Sequence, residues 1–246
     1  MQSSRSAADP LFAGTAGFAH RGLHGRGVCE NSLAAFQAAI DADAGIECDL
    51  RLSRDGFAMV FHDSSLERLC GVNVEMESLH AAALMHFRLG GSDQRIAWLG
   101  ELLSLVDGKV PLLLELKRQR GRGLAGPPID HLCAAMLKAL RAYRGPVGVM
   151  SFDPRASSWF ARHAPQVRHG LVIADKLSPV RRWSAMLLAD PQFLAVDRAA
   201  LGRPWVTRAR RRMTVASWTI RSETERAAAI PLADALIWEA DGRPRS

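Results

Sequence analysis

The amino-acid sequence predicts a single-domain (β/α)8 barrel over residues 1–246. Three observations carry that expectation. Short apolar runs alternate with segments of helical period almost throughout, the pattern of βα units around a parallel sheet. The runs number eight, the count that closes a barrel. The length of 246 residues suits such a barrel, and 48% hydrophobic with 23% charged residues is enough for one large core.

The expected strands are Gly17–His20, Ile46–Leu52, Val110–Lys117, Val147–Ser151, His169–Ile173, Phe193–Asp197, Thr214–Trp218 and Ala235–Trp238. Between the first two, Asn31 or Ser32 caps a helix whose buried stripe is Leu33, Phe36 and Ile40, with Gly45 just past its end. Later helices are expected near Leu99–Val106, Ile129–Tyr143, Pro154–His163, Pro179–Ala189, Leu201–Arg211 and Glu223–Ile230. Residues Gly121–Pro128 read as the most loop-like stretch.

One stretch breaks the alternation. Asp55-Gly56 separates Glu47–Arg54 from Phe57–His62, the signal for a two-residue β-hairpin after the second strand. Pairing Arg54 with Phe57 would set Asp49 opposite His62. Residues Asp63–Ser92 then wander, with one short helical pattern near Leu79–Phe87. An excursion there lies over the face that carries the chemistry of such barrels.

No apolar run approaches the ~18 residues of a membrane span. Met1–Pro10 lacks the apolar core of a signal peptide, so a cytoplasmic protein is expected, with Cys29, Cys48, Cys70 and Cys133 as free thiols. The net charge of +7 is read as solvated basic faces, including the run Arg208–Arg212 on a late surface helix. No nucleic-acid partner is expected from it.

The chemistry-bearing residues gather at strand C-termini. In Ile46-Glu47-Cys48-Asp49-Leu50, alternation puts Glu47 and Asp49 on one face and Cys48 on the other, towards the helices. Two close buried carboxylates repel each other, and a hard divalent cation, Mg²⁺ or Ca²⁺, is the simple remedy. Glu115 and Lys117 likewise share a face at the end of the third barrel strand, offering a third metal carboxylate and a cation for an anionic substrate. His20 and Arg21 follow the first strand directly. Glu47, Asp49 and Glu115, one divalent ion, one phosphodiester, Arg21 and Lys117 together sum to zero charge. His20 and His62 beside them supply a general acid and a general base. Two readings of Glu30 stay open, support of the site or a helix N-terminal charge. Trp218 either packs the core or floors the substrate pocket. His24, His80, His86, His131, His163 and His169 are read as surface or packing residues.

The order His20-Arg21-Gly22, Glu30-Asn31-Ser32-Leu33-Ala34-Ala35-Phe36, Gly45-Ile46-Glu47-Cys48-Asp49-Leu50, Asp55-Gly56 and Val60-Phe61-His62-Asp63 resembles the N-terminal signature of the glycerophosphodiester phosphodiesterases. Leu114-Glu115-Leu116-Lys117, Ser151-Phe152-Asp153 and Trp218-Thr219 are similar to later motifs of that family, so the likeness spans roughly residues 17–240. It implies catalysis by His20 and His62, a Ca²⁺ or Mg²⁺ ion on Glu47, Asp49 and Glu115, and phosphate binding by Arg21 and Lys117. The implied reaction turns a small glycerophosphodiester into glycerol 3-phosphate and an alcohol. Three positions depart from the pattern. Cys29 stands where a Pro usually precedes the Glu-Asn pair, Arg221 where an Asn often follows Trp-Thr, and Glu239 where the last strand usually ends in a Thr-Asp motif. Two alternatives are a lysophospholipase D-like activity on the same site, which requires an apolar entrance, and a non-catalytic barrel binding anionic surfaces.

Overall fold

The computed structural model describes residues 9, 11–13, 15, 17–25, 27–118 and 129–244. The expected loop Gly121–Pro128 lies outside the described residues. In chain order the elements are β1 (Phe18–Ala19), α1 (Leu33–Asp41), β2 (Gly45–Leu52), β3 (Ala58–Val60), α2 (Glu67–Cys70), α3 (Ala81–Leu84), α4 (Leu99–Val106) and β4 (Leu112–Leu116). They continue with α5 (Ile129–Leu140), β5 (Val147–Ser151), α6 (Pro154–His163), β6 (Arg168–Ile173), α7 (Pro179–Ala189), β7 (Phe193–Asp197), α8 (Pro204–Arg210), β8 (Thr214–Ile220), α9 (Glu223–Ala229) and β9 (Ala235–Trp238).

β1 pairs in parallel with both β2 and β9, and this closes a parallel barrel of eight strands. β3 is the extra strand, antiparallel on β2. The alternation rule divides the side chains as expected. Ile46, Cys48, Leu50, Leu112 and Leu114 face outward into the layer beneath the helices. Phe18, Leu113, Met150, Val172, Phe193 and Ala216 form a separate cluster together with Leu11 and Phe12. Phe12 meets Phe18 and Phe193 edge-on, with ring centroids 5.7 and 5.2 Å away. Helix caps follow the sequence: Ser32, Asp153, Ser178 and Ser222 each accept a backbone N–H in the first turn of α1, α6, α7 and α9. Among the described residues, no helix is long and apolar enough to cross a membrane.

The hairpin exists, but its register differs from the expected one by a residue. Leu50 faces Val60, Arg51 faces Met59 and Leu52 faces Ala58. Asp49 therefore lies opposite Phe61, whose N–H donates to the Asp49 carbonyl at 3.0 Å, and not opposite His62. The turn is a three-residue loop. Ser53 N donates to Phe57 O at 2.9 Å, Gly56 N donates to Ser53 O at 3.0 Å, and Gly56 takes φ +86°. Such a loop, with a left-handed third residue, is the next most common hairpin connection after the two-residue type. The Ser53 hydroxyl fixes it by donating to Asp55 and accepting from Phe57 N.

Beyond Phe61 the chain leaves the ladder and forms the excursion, which packs with the hairpin strand around a core of Met59, Phe61, Leu66, Met76, Ala81, Leu84, Leu89 and Ile96. Arg51 ties it down: Nε donates to the His62 carbonyl at 2.7 Å, and Nη1 pairs with Glu77 at 2.7 Å.

Two glycines with positive φ separate two kinds of constraint. Gly56 has open space where a Cβ would stand, whereas a Cβ on Gly22 (φ +79°) would fall 2.8 Å from Ala35 Cβ and 2.9 Å from the Phe36 ring. Gly56→Ala should cost about 1 kcal/mol in urea unfolding. Gly22→Ala should cost about 2–4 kcal/mol, because overpacking adds to the backbone penalty. Equal losses would contradict the close packing of the first loop on α1.

Candidate active site

Parallel register builds the centre of the site. Asp49 on β2 is the ladder neighbour of Glu115 on β4, and Lys117 N donates to Leu50 O just beyond. Glu47 lies one inward step below Asp49. One oxygen from each of Glu47, Asp49 and Glu115 lies within 4.8 Å of the other two. All three are buried, at 1%, 0% and 7% exposure. Lys117 Nζ stands between two of them, 2.9 Å from Asp49 Oδ1 and 2.5 Å from Glu115 Oε1. The three carboxylates and the lysine foreseen from period-two spacing are thus brought together.

The loop after β1 adds a second cation. Arg21 has φ +57° and donates its backbone N–H to Glu47 Oε2 at 3.0 Å. Its Nε lies 3.2 Å from Asp49 Oδ2, and its Nη1 donates to Glu30 Oε1 at 2.7 Å. Glu30 also receives two bonds from Arg68, so it supports the site in addition to standing ahead of α1. Asn31, a candidate cap in the sequence, turns inward instead: Nδ2 donates to Asp49 Oδ2 at 2.8 Å, and Oδ1 accepts from Asp49 N at 3.3 Å.

The electrostatics are uneven. Burial alone would raise the Asp49 pKa, but Lys117 and Arg21 outweigh burial and hold the carboxyl well below its ordinary range. Burial pushes Glu47 well up, and Asp49 and Glu115 push it further. Burial also raises Glu115, with Lys117 opposing. Lys117 is raised because Asp49 and Glu115 overcome its own burial. Three buried carboxylates facing two fixed cations leave one negative charge uncompensated. An all-oxygen set with that deficit fits a hard divalent cation.

Both histidines lie near enough for their charge to act on Asp49. His20 follows β1, with its N–H bonded to the Trp238 carbonyl, and its Nδ1 lies 2.5 Å from Glu239 Oε2. His62 Nδ1 lies 2.6 Å from Asp63 Oδ1. His62 is placed by Arg51 on its carbonyl and by Asp63 on its ring, not by ladder register. Burial lowers the His62 pKa, with Lys117 and Arg21 adding to that, while Asp49 and Asp63 oppose it. Arg68 joins the two halves by bridging Asp63 and Glu30.

Trp218 is half-buried; its indole N–H donates to Ala195 O at 3.1 Å, and its ring meets the exposed Phe152 edge-on at 5.4 Å. It thus packs against the barrel interior and borders its mouth. A cavity of about 590 Å³ opens beside His62, lined by Arg51, Asp63, Ser64, Ser65, Glu67 and Arg68. No apolar side chain lines it, in contrast to the entrance that an acyl chain requires.

Sequence reading missed Asn31, Asp63, Arg68 and His24 as site neighbours, and it placed Glu239 near the substrate pocket only as a departure from the family pattern. Glu239 carried the usable signal, because it follows an apolar strand directly, just as His20 does. Its carboxyl is held far below the ordinary range, first by His20 and His24 beside it, then by Arg221. Arg221 Nε donates to Glu239 Oε1 at 2.6 Å, so two departures from the family pattern contact each other.

At its C-terminal rim the closed parallel barrel thus carries three buried carboxylates, two cations and two carboxylate-paired histidines. The model of the glycerophosphoryl diester phosphodiesterase family matches residues 20–238, and the chain belongs to that family. It is 29% identical over 185 residues to the uncharacterized protein YqiK of Bacillus subtilis, covering 70% of this chain and 72% of that one. It is also 29% identical over 165 residues to a glycerophosphodiester phosphodiesterase of Caldanaerobacter subterraneus, covering 63% of this chain and 65% of that one. Among solved structures it resembles a phosphodiesterase of Oleispira antarctica in complex with the product sn-glycerol 3-phosphate. That likeness has a TM-score of 0.78 at 21% identity and covers 90% of this chain and 91% of that one. A glycerophosphodiester phosphodiesterase of Thermotoga maritima matches with a TM-score of 0.74 at 23% identity, over 91% and 94% of the two chains.

Asn31 gives a direct test of this geometry. Asn31→Ala removes both of its bonds to Asp49 in a buried site and should cost about 1–3 kcal/mol in urea unfolding. An unchanged midpoint would contradict the inward placement of Asn31.

Proposed function

We propose that this chain hydrolyses small glycerophosphodiesters to glycerol 3-phosphate and an alcohol, with a divalent cation, Mg²⁺ or Ca²⁺, held by Glu47, Asp49 and Glu115. The observation that carries the reading is the buried carboxylate triad with one charge left over, beside two histidines. Bound there, the cation would polarise the phosphoryl oxygens and stabilise charge as it builds on phosphorus.

The protein's own groups do the rest. Arg21 and Lys117, both steered by carboxylates of the centre, draw the phosphodiester into place. A carboxylate can only accept, so Glu239 and Asp63 each receive the Nδ1–H of their histidine. This leaves Nε2 of His20 and of His62 to move protons, one taking a proton from the attacking oxygen and the other giving one to the leaving alkoxide. The carboxylate of each pair fixes the tautomer and ring orientation of its histidine. Trp218 and Phe152 offer an aromatic wall to the departing group. The polar lining of the cavity beside His62 favours a small glycerophosphodiester over a lysophospholipid.

A panel of glycerophosphodiesters (choline, ethanolamine, glycerol and inositol) read by glycerol 3-phosphate release tests the reaction. Turnover should vanish in EDTA and return with Mg²⁺ or Ca²⁺; full turnover in persistent chelator would sink the metal assignment. His20→Ala and His62→Ala should each lower kcat at least ~100-fold with folding intact, and the double variant should be little worse than the poorer single. A histidine variant retaining wild-type kcat would overturn the two-histidine mechanism.

A further inference from the structure

The described residues contain a second group of three metal-ligating side chains that the hydrolytic reading does not use as a unit. His20, His24 and Glu239 each offer one ligand atom, and these atoms all lie within 4.8 Å of one another. His20 Nδ1 is 2.5 Å from Glu239 Oε2, and His24 Nε2 is 3.8 Å from the same oxygen. His24 Nε2 is shielded from solvent and has no hydrogen-bond partner among the described residues. A solvent-shielded imidazole nitrogen 3.8 Å from a carboxylate oxygen, with no hydrogen bond to it, is a ligand atom that nothing else among the described residues engages. Arg221 holds the other oxygen, Oε1, and so keeps Oε2 turned towards the two rings.

The chemistry of this group differs from that of the carboxylate triad. Three oxygens suit hard Mg²⁺ or Ca²⁺, whereas two imidazoles and one carboxylate suit Zn²⁺ or a neighbouring transition metal. Tetrahedral zinc with bonds near 2.0–2.2 Å places its ligand atoms about 3.3 Å apart. The two separations from Glu239 Oε2, 2.5 and 3.8 Å, bracket that value, and the two imidazole ligand atoms lie within 4.8 Å of each other.

We propose that His20, His24 and Glu239 form an inhibitory site for a borderline divalent cation of the Zn²⁺ type, separate from the hard-cation centre. Its effect on turnover rests on the role given to His20 above. A metal on His20 Nδ1 takes the place of the proton now shared with Glu239. The ring must then carry its hydrogen on Nε2, where it donates but cannot accept, and proton cycling at His20 stops. His24 is the residue that makes the site, because without it only one imidazole and one carboxylate remain.

The test uses enzyme saturated with Mg²⁺ or Ca²⁺. Calorimetric titration should show one additional Zn²⁺ bound per chain, and Co²⁺ in its place should give a visible d–d spectrum. Zn²⁺ should inhibit turnover, and excess Mg²⁺ or Ca²⁺ should not relieve it. His24→Ala should keep zinc-free turnover within about 2-fold of wild type while raising the inhibitory Zn²⁺ concentration at least ~10-fold. Glu239→Gln should weaken Zn²⁺ binding in calorimetry to a similar degree. Absence of additional Zn²⁺ binding, or binding that His24→Ala leaves unchanged, would overturn the proposal. Zn²⁺ bound through His24 with turnover undiminished would overturn the inhibitory site as well, and would place the failure in the role of His20 in proton transfer rather than in metal binding.

Discussion

Everything at the rim of this barrel depends on three carboxylates being held together out of water. Glu47, Asp49 and Glu115 are brought side by side by strand alternation and by the parallel register of β2 with β4. Left alone, their mutual repulsion and desolvation would be severe. Lys117 and Arg21 offset part of it, and the direction of each pKa shift shows how. Asp49, which both cations reach, is held low, while Glu47 is driven up by burial and by the charges of Asp49 and Glu115. The remaining deficit is what a divalent cation would fill. The same constraint accounts for Asn31, whose amide serves Asp49 at the expense of capping α1, and for Ser32 taking over the cap.

Around that centre, the histidines are organised by a repeated device. Each has a carboxylate at Nδ1, supplied by the adjacent Asp63 for His62 and by the last strand for His20. Arg21, Glu30, Arg68 and Asp63 then form a continuous chain of ion pairs from the triad to His62. The excursion after β2 therefore carries His62, Asp63 and Arg68, one half of the site. It is held down by its own apolar core and by the contacts of Arg51 with Glu77 and the His62 carbonyl.

The barrel and the triad were legible because both follow from short-range periodicity. Period two placed Glu47, Asp49, Glu115 and Lys117 on inner faces and Cys48 outside, and the eight apolar runs became the eight barrel strands. The hairpin register was not legible. Asp-Gly serves both two- and three-residue loops, and the Ser53 hydroxyl, through its bonds to Asp55 and Phe57 N, selects the longer one. His62 still lies near enough to act on Asp49 because the chain bends out of the ladder after Phe61, a tertiary effect that the strand pattern does not encode. Contacts such as His20 with Glu239, 219 residues apart, depend on barrel closure, and single-residue patterns cannot show them.

The central claim is that the triad is a hard-cation site. Its most direct test is a crystal of this protein soaked in Mn²⁺, an anomalous scatterer that accepts the same oxygen ligands as Mg²⁺. The account predicts a strong anomalous peak bonded to Glu47, Asp49 and Glu115. Ordered carboxylates with no peak between them, and Mn²⁺ bound only elsewhere, would contradict it.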